Sequence, residues 1–400
     1  MQASYENLFK RNPAFNLRAH EFILSHPNRP HFPRPSPSQN YKNIVAPTLV
    51  PILHCLYPQI QPYMNLGQTS STPALRLGVC PTHFRFADVL APDENGKLPR
   101  HPDGQLKILT ELKQFLTDSP VPPSVIPMFT FSGTQKEDLR ETLAGIQSLG
   151  VKTEAILMIN GADPMNPDDE DKFVALARKI LEIAKSLNID AVCSTTFEQW
   201  MDPAPAKTGT DYDAAVTQLV KAHQRIYEEA GLANSSIKSW HMEFLRPVEF
   251  STFTNIRNAW DVVKGINEKI GSNFFRVLVD ASHCGDSGLT IEDNQNVIRE
   301  IAAAGALGAF HASVKTTRGC LATDEGWIES LLTPCLETGK LETVIVEAFD
   351  HTDEGLQPLR DAVPGHGVDT TKGRSYNQLI FDGLDLVNSR INDLARVHPV

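Results

Sequence analysis

The sequence predicts an α/β protein built as a (β/α)8 TIM barrel over residues 71–400, with an N-terminal extension over residues 1–70. Two observations carry this prediction. From residue 75 onward, strand-like and helix-like segments alternate eight times, the pattern of parallel βα units. The last four apolar runs also bring an acid or a histidine to their carboxyl ends: Glu243, Asp280 with His283, His311, and Glu347. A parallel barrel gathers its catalytic residues at that end of its strands.

The elements follow in chain order. Residues 28–40, within HPNRPHFPRPSPSQN, are proline-rich and read as irregular or polyproline-like. The following piece, APTLVPILHCLYPQIQPYM, is apolar enough to dock on the barrel or at a subunit contact. The strand candidates are ALRLGV, SVIPMFTF, EAILMI, DAVCST, SWHMEF, FRVLVD, LGAFHA and TVIVEA, short runs rich in β-branched and aromatic residues. Amphipathic helices lie between them. In 168–187, Phe173, Leu176, Ala177, Ile180, Ile183 and Leu187 recur at three- and four-residue steps and form one buried face. Gly150 and Gly305 act as helix stops, and a final helix over roughly 373–396 closes the ring. The stretches Glu198–Tyr212 and 350–372 read as long loops on the active-site face, the first a lid or specificity loop.

Composition fits a large enzyme. The chain has 400 residues, 41% of them hydrophobic, and a net charge of −11. That charge disfavours nucleic acid and anionic membranes, whose binding requires concentrated Lys and Arg. Six cysteines (Cys55, Cys80, Cys193, Cys284, Cys320 and Cys335) are scattered without a CxxC pair, which predicts reduced thiols. With neither a signal-peptide core nor a membrane-length apolar run, the expected location is the cytoplasm.

Glu243, Asp280, His311 and Glu347 read as a metal site. A lone acid after an apolar strand is as often a helix N-cap or loop charge, but these four are spaced 37, 31 and 36 residues apart, the length of a strand-helix repeat. Three carboxylates and one imidazole form an oxygen-rich set that suits a divalent ion of the Mn, Mg or Co type. Structural zinc prefers cysteines or several histidines.

The run Glu243-Phe-Leu-Arg-Pro-Val-Glu249, then Asp280-Ala-Ser-His283, then His311-Ala-Ser313 with Arg318-Gly319, and finally Glu347 together resemble the ketose 3-epimerases (D-tagatose and D-psicose 3-epimerases) of the xylose-isomerase-like barrel superfamily. The resemblance implies a divalent metal, with Mn expected, on Glu243, Asp280, His311 and Glu347. It also implies that Glu249, His283 and Arg318 hold the oxygens of a free ketose or keto-sugar, and that the enzyme is a homo-oligomer. Glu243 and Glu347 would be the catalytic acid-base pair. Abstraction of a proton next to a carbonyl needs a stabilised enediolate, and carboxylates on opposite faces of the substrate then invert the carbon.

The alternative enzyme class is a metal-dependent dehydratase of a keto-polyol on the same barrel, which shares the proton-abstraction step. Endonuclease IV chemistry needs three metals and early-strand histidines, and MFTFSG and MINGAD offer none. A non-catalytic scaffold would make the four ligands coincidental. His83 and Trp200 are further candidates for the pocket lining, and His351 reads as a loop histidine.

Overall fold

The computed structural model describes residues 75–202, 204–314, 326–371, 373 and 375–397. The extension over residues 1–70 and the candidate Arg318 lie outside the described residues, as does the His83 side chain.

Eight strands form the barrel: β1 Arg76–Val79, β2 Val125–Phe131, β3 Lys152–Met158, β4 Ala191–Ser194, β5 Ser239–Glu243, β6 Phe275–Asp280, β7 Leu307–Ala312 and β8 Thr343–Val346. They pair in chain order, all parallel, and β8 pairs back onto β1 to close the ring. Each lies within two residues of its predicted run. The physical reason is burial on both faces. A strand covered by helices outside and by packed side chains inside can be apolar throughout, and β4 (AVCS) and β7 (LGAFHA) are buried at every position.

The crossovers carry α1 Lys107–Asp118, α2 Lys136–Ser148, α3 Glu170–Ser186, α4 Thr210–Glu229, α5 Ile256–Ile270, α6 Ala281–Asp286, α7 Ile291–Ala303 and α8 Trp327–Glu337, and α9 Gln357–Ala362 and α10 Tyr376–Val397 follow β8. In α3 the predicted stripe is realised, with Phe173, Ala177, Ile180 and Ile183 buried against the sheet. Gly150 and Gly305, the predicted stops, take left-handed backbone (φ 84° and 72°), which costs glycine least. The 350–372 stretch departs from the loop expectation. A 3-10 turn at Glu354–Leu356 runs into α9, because the buried Asp353 carboxylate accepts from the Gly355 N–H at 2.9 Å and from the Phe86 N–H at 2.7 Å. Among the described residues no helix is long and apolar enough to cross a membrane.

The main core fills the space between sheet and helices. A smaller apolar cluster of Cys80, Val125, Ile156, Cys193 and Ile345 draws on β2, β3, β4 and β8 and packs inside the barrel.

Candidate metal centre

Adjacent strands deliver the four predicted ligands to one place. Glu243 is the last residue of β5 and Asp280 the last of β6; Asp280 stands in register with His311 of β7, and Glu347 follows β8 directly. One donor atom from each of the four lies within 4.8 Å of the others. The imidazole is central: His311 Nδ1 lies 3.3 Å from Glu243 Oε1, 3.5 Å from Glu347 Oε2 and 3.8 Å from Asp280 Oδ2. Donors bound at about 2.1 Å to a common ion sit roughly 3.0–3.5 Å apart, so the set is close to a ligation sphere.

Electrostatics points the same way. Three carboxylates are buried around one imidazole, and Glu243 Oε1 and both His311 ring nitrogens are buried without a hydrogen-bond partner. Orphaned buried polar atoms are costly, and a cation at this point would satisfy them together. Burial alone would lower the His311 pKa, but Glu243 and Glu347 hold it well above its ordinary value. Burial likewise opposes ionisation of Glu243, yet His311 and His283 keep its pKa below the usual carboxylate range. The pocket therefore attracts positive charge.

Asp280 is fixed by its surroundings. Its Oδ1 caps α6 by accepting the His283 N–H at 2.8 Å, and the Ser313 hydroxyl reaches both carboxylate oxygens at 3.2 and 3.0 Å. The predicted substrate contact His283 is fully buried beside the ligands, with Nε2 3.5 Å from Glu243 Oε1. The Arg246 backbone N–H donates to His283 Nδ1 at 3.2 Å. An amide N–H can only donate, so the neutral ring carries its proton on Nε2, facing the ligands.

Glu249 is buried and held at both oxygens. Arg246 Nε donates to Oε2 at 2.9 Å and Trp200 Nε1 donates to Oε1 at 3.2 Å. Arg246, 1% exposed, also donates to Asp286 Oδ2 at 3.1 Å and to His366 Nδ1 at 2.8 Å. It is thus the hub that ties Glu249 to α6, which carries His283, and to the segment after β8. Sequence reasoning missed this role. The available signal was an arginine inside the apolar run FLRPVEF, three residues from each of two singled-out glutamates. His366 had no local signal.

The other candidates are also accounted for. Trp200 supports Glu249, and the 198–202 loop is pinned by Glu198, which accepts backbone N–H groups of Ser251 (3.1 Å), Thr252 (2.7 Å) and Phe253. His351 is a loop histidine whose Nδ1 donates to the Val368 carbonyl at 3.0 Å.

No protein-family model matches this chain, and no curated protein sequence matches it. Its backbone is nevertheless similar to several solved structures. A D-allulose 3-epimerase from Methylomonas sp. matches at TM-score 0.58 and 14% identity, over 79% of this chain and 98% of its own. An L-ribulose 3-epimerase matches at TM-score 0.59 and 14% identity, over 80% and 96%. The IolI protein, solved with a bound zinc atom, matches at TM-score 0.51 and 14% identity, over 80% and 99%. The fold is therefore the barrel shared by these solved structures.

Proposed function

We propose that this chain is a divalent-metal-dependent sugar epimerase or isomerase that abstracts a proton next to a carbonyl, acting on a free ketose or keto-sugar. The observation that supports it is the convergence of Glu243, Asp280, His311 and Glu347 on one buried point, with Glu243 Oε1 and the His311 nitrogens left without hydrogen bonds. The likeness in fold to ketose 3-epimerases agrees with this reading. These four residues would hold the ion, Mn²⁺ by the oxygen-rich donor set. When bound, such an ion supplies Lewis-acid stabilisation of negative charge on substrate oxygens.

The remaining chemistry belongs to the side chains. Glu243 and Glu347 come from β5 and β8, three strands apart around the ring, and both approach His311 Nδ1. In this reading one carboxylate removes the proton from the carbon next to the carbonyl and the other returns one to the opposite face, which inverts the centre. His283 offers Nε2–H to a substrate oxygen, its tautomer set by the Arg246 amide. Glu249, oriented by Arg246 and Trp200, keeps lone pairs for a substrate hydroxyl, and Arg318 is assigned a substrate oxygen by its place after His311.

The test is exchange of substrate protons in heavy water across ketoses, keto-inositols and keto-glycosides with Mn²⁺ added. Deuterium should enter at the carbon beside the carbonyl, and Glu347→Gln should cut the rate by about 10²- to 10⁴-fold. Absence of exchange with every substrate, or full exchange in Glu347→Gln, would count against the proposal.

A further inference from the structure

A second cluster of metal-ligating residues lies within the barrel, apart from the four-residue centre: Glu154 of β3, Cys193 of β4 and His241 of β5, all buried, with one donor atom each within 4.8 Å of the others. We propose that these three side chains form a second, sulfur-containing divalent-metal site, of the zinc class, with a structural role inside the barrel.

Three features carry the inference. The first is His241. It is fully buried, and neither ring nitrogen has a hydrogen-bond partner. A neutral imidazole has one donor and one acceptor to satisfy, and leaving both unmade in a dry interior is costly, so the ring is poised for a bound ion.

The second feature is the donor geometry. Glu154 divides its two oxygens: Oε1 faces the Arg76 guanidinium at 3.2 Å, and Oε2 faces both Cys193 Sγ, at 3.2 Å, and His241 Nδ1, at 3.8 Å. Donors bonded to one tetrahedral ion at about 2.0–2.3 Å sit roughly 3.3–3.6 Å apart, and the two separations bracket that range. One carboxylate oxygen, one sulfur and one imidazole nitrogen make a donor set that fits zinc, whereas the oxygen-rich centre suits harder ions.

The third is the far side of the ring. His241 Nε2 faces Glu342 Oε2 at 3.7 Å, and Glu342 is itself paired with Arg276. A ligating histidine characteristically turns its other nitrogen toward a carboxylate, which fixes the tautomer and raises the ring's basicity. Glycine at 308 leaves the ring its place: a Cβ there would lie 2.6 Å from His241 Cδ2. Binding would replace the Cys193 thiol proton by the ion and release that proton to solvent.

The test uses the full chain, expressed in medium supplemented with zinc or with cobalt. Metal analysis should find about two ions per chain, one removable by chelator and one retained by the sealed interior. The cobalt form should show a thiolate-to-cobalt charge-transfer band in the near ultraviolet, which the sulfur-free set of Glu243, Asp280, His311 and Glu347 cannot produce. Cys193→Ser should abolish that band and reduce the count to about one while substrate deuterium exchange persists. The cobalt spectrum of the unaltered protein decides the matter even if the variant folds poorly. A single ion per chain with no thiolate band, or a band that survives Cys193→Ser, would overturn the proposal. A thiolate band without any deuterium exchange would leave this site standing and sink the epimerase reading instead.

Discussion

Replacing His223 tests whether the α4 face of the barrel is held by a neutral imidazole. The ring is fully buried, its Nδ1 donates to the Leu219 carbonyl at 2.8 Å, and its Nε2 lies 2.9 Å from the Thr196 hydroxyl. Thr196 is linked to Ser194 Oγ at 2.8 Å, and Ser194 accepts from Trp240 Nε1 at 2.8 Å. Since the indole can only donate and the Leu219 carbonyl can only accept, one orientation satisfies the whole chain: Trp240 to Ser194 to Thr196 to His223 to Leu219. An imidazolium would put a second proton on Nε2 and break it. Burial lowers the His223 pKa from 6.5 to about 4. Above about pH 6.5 the ring is neutral in both states and the folded chain has its full stability. As pH falls through 6.5 the unfolded chain takes up a proton that the folded chain refuses, so stability declines until about pH 4 and no further below it. At about 1.4 kcal/mol per pH unit the full loss is about 3 kcal/mol, of which about 2 kcal/mol has accrued by about pH 5. Urea unfolding of the wild type and His223→Gln across this range isolates the term, because other titrating groups cancel. The wild type's advantage over the variant should shrink by about 2 kcal/mol between about pH 8 and pH 5. An advantage that stays constant over that interval would refute the neutral, one-directional network.

Three further outcomes follow from the geometry. Asp280→Asn keeps an oxygen for the His283 N–H but loses the charge facing His311, so under the proposed function the chain should fold and yet bind a divalent ion more weakly by about 10- to 100-fold or more, measured as metal retained after dialysis. Arg246→Lys cannot reach Glu249, Asp286 and His366 with one ammonium, so kcat/KM should fall while metal content stays at the wild-type level; metal loss matching that of Asp280→Asn would show that Arg246 supports the ligands themselves. Gly308→Ala puts a methyl 2.6 Å from His241 Cδ2 and 3.0 Å from Arg276 Cβ, and should lower stability in urea by about 1–3 kcal/mol.

By itself the sequence determined the barrel and the strand-end positions of the four convergent side chains, for related reasons. Strands of a parallel barrel are buried on both faces, so each appears as a compact apolar run, and a side chain that must face the mouth of the barrel interrupts that run at its carboxyl end, where Glu243, Asp280, His311 and Glu347 stand. The position of His283 beside them was legible too, because its distance from Asp280 is a local offset that α6 preserves. Only the tertiary structure decided the rest. Arg246 finds Asp286 40 residues away and His366 120 residues away, and no periodicity in the chain reports a contact made by the fold of a distant segment. Glu154, Cys193 and His241 sit inside their strands and read as ordinary polar interruptions. The register of β3, β4 and β5, which pairs Ile156 with Cys193 and Cys193 with His241, brings them together on one face, and no local pattern in the chain reports that register.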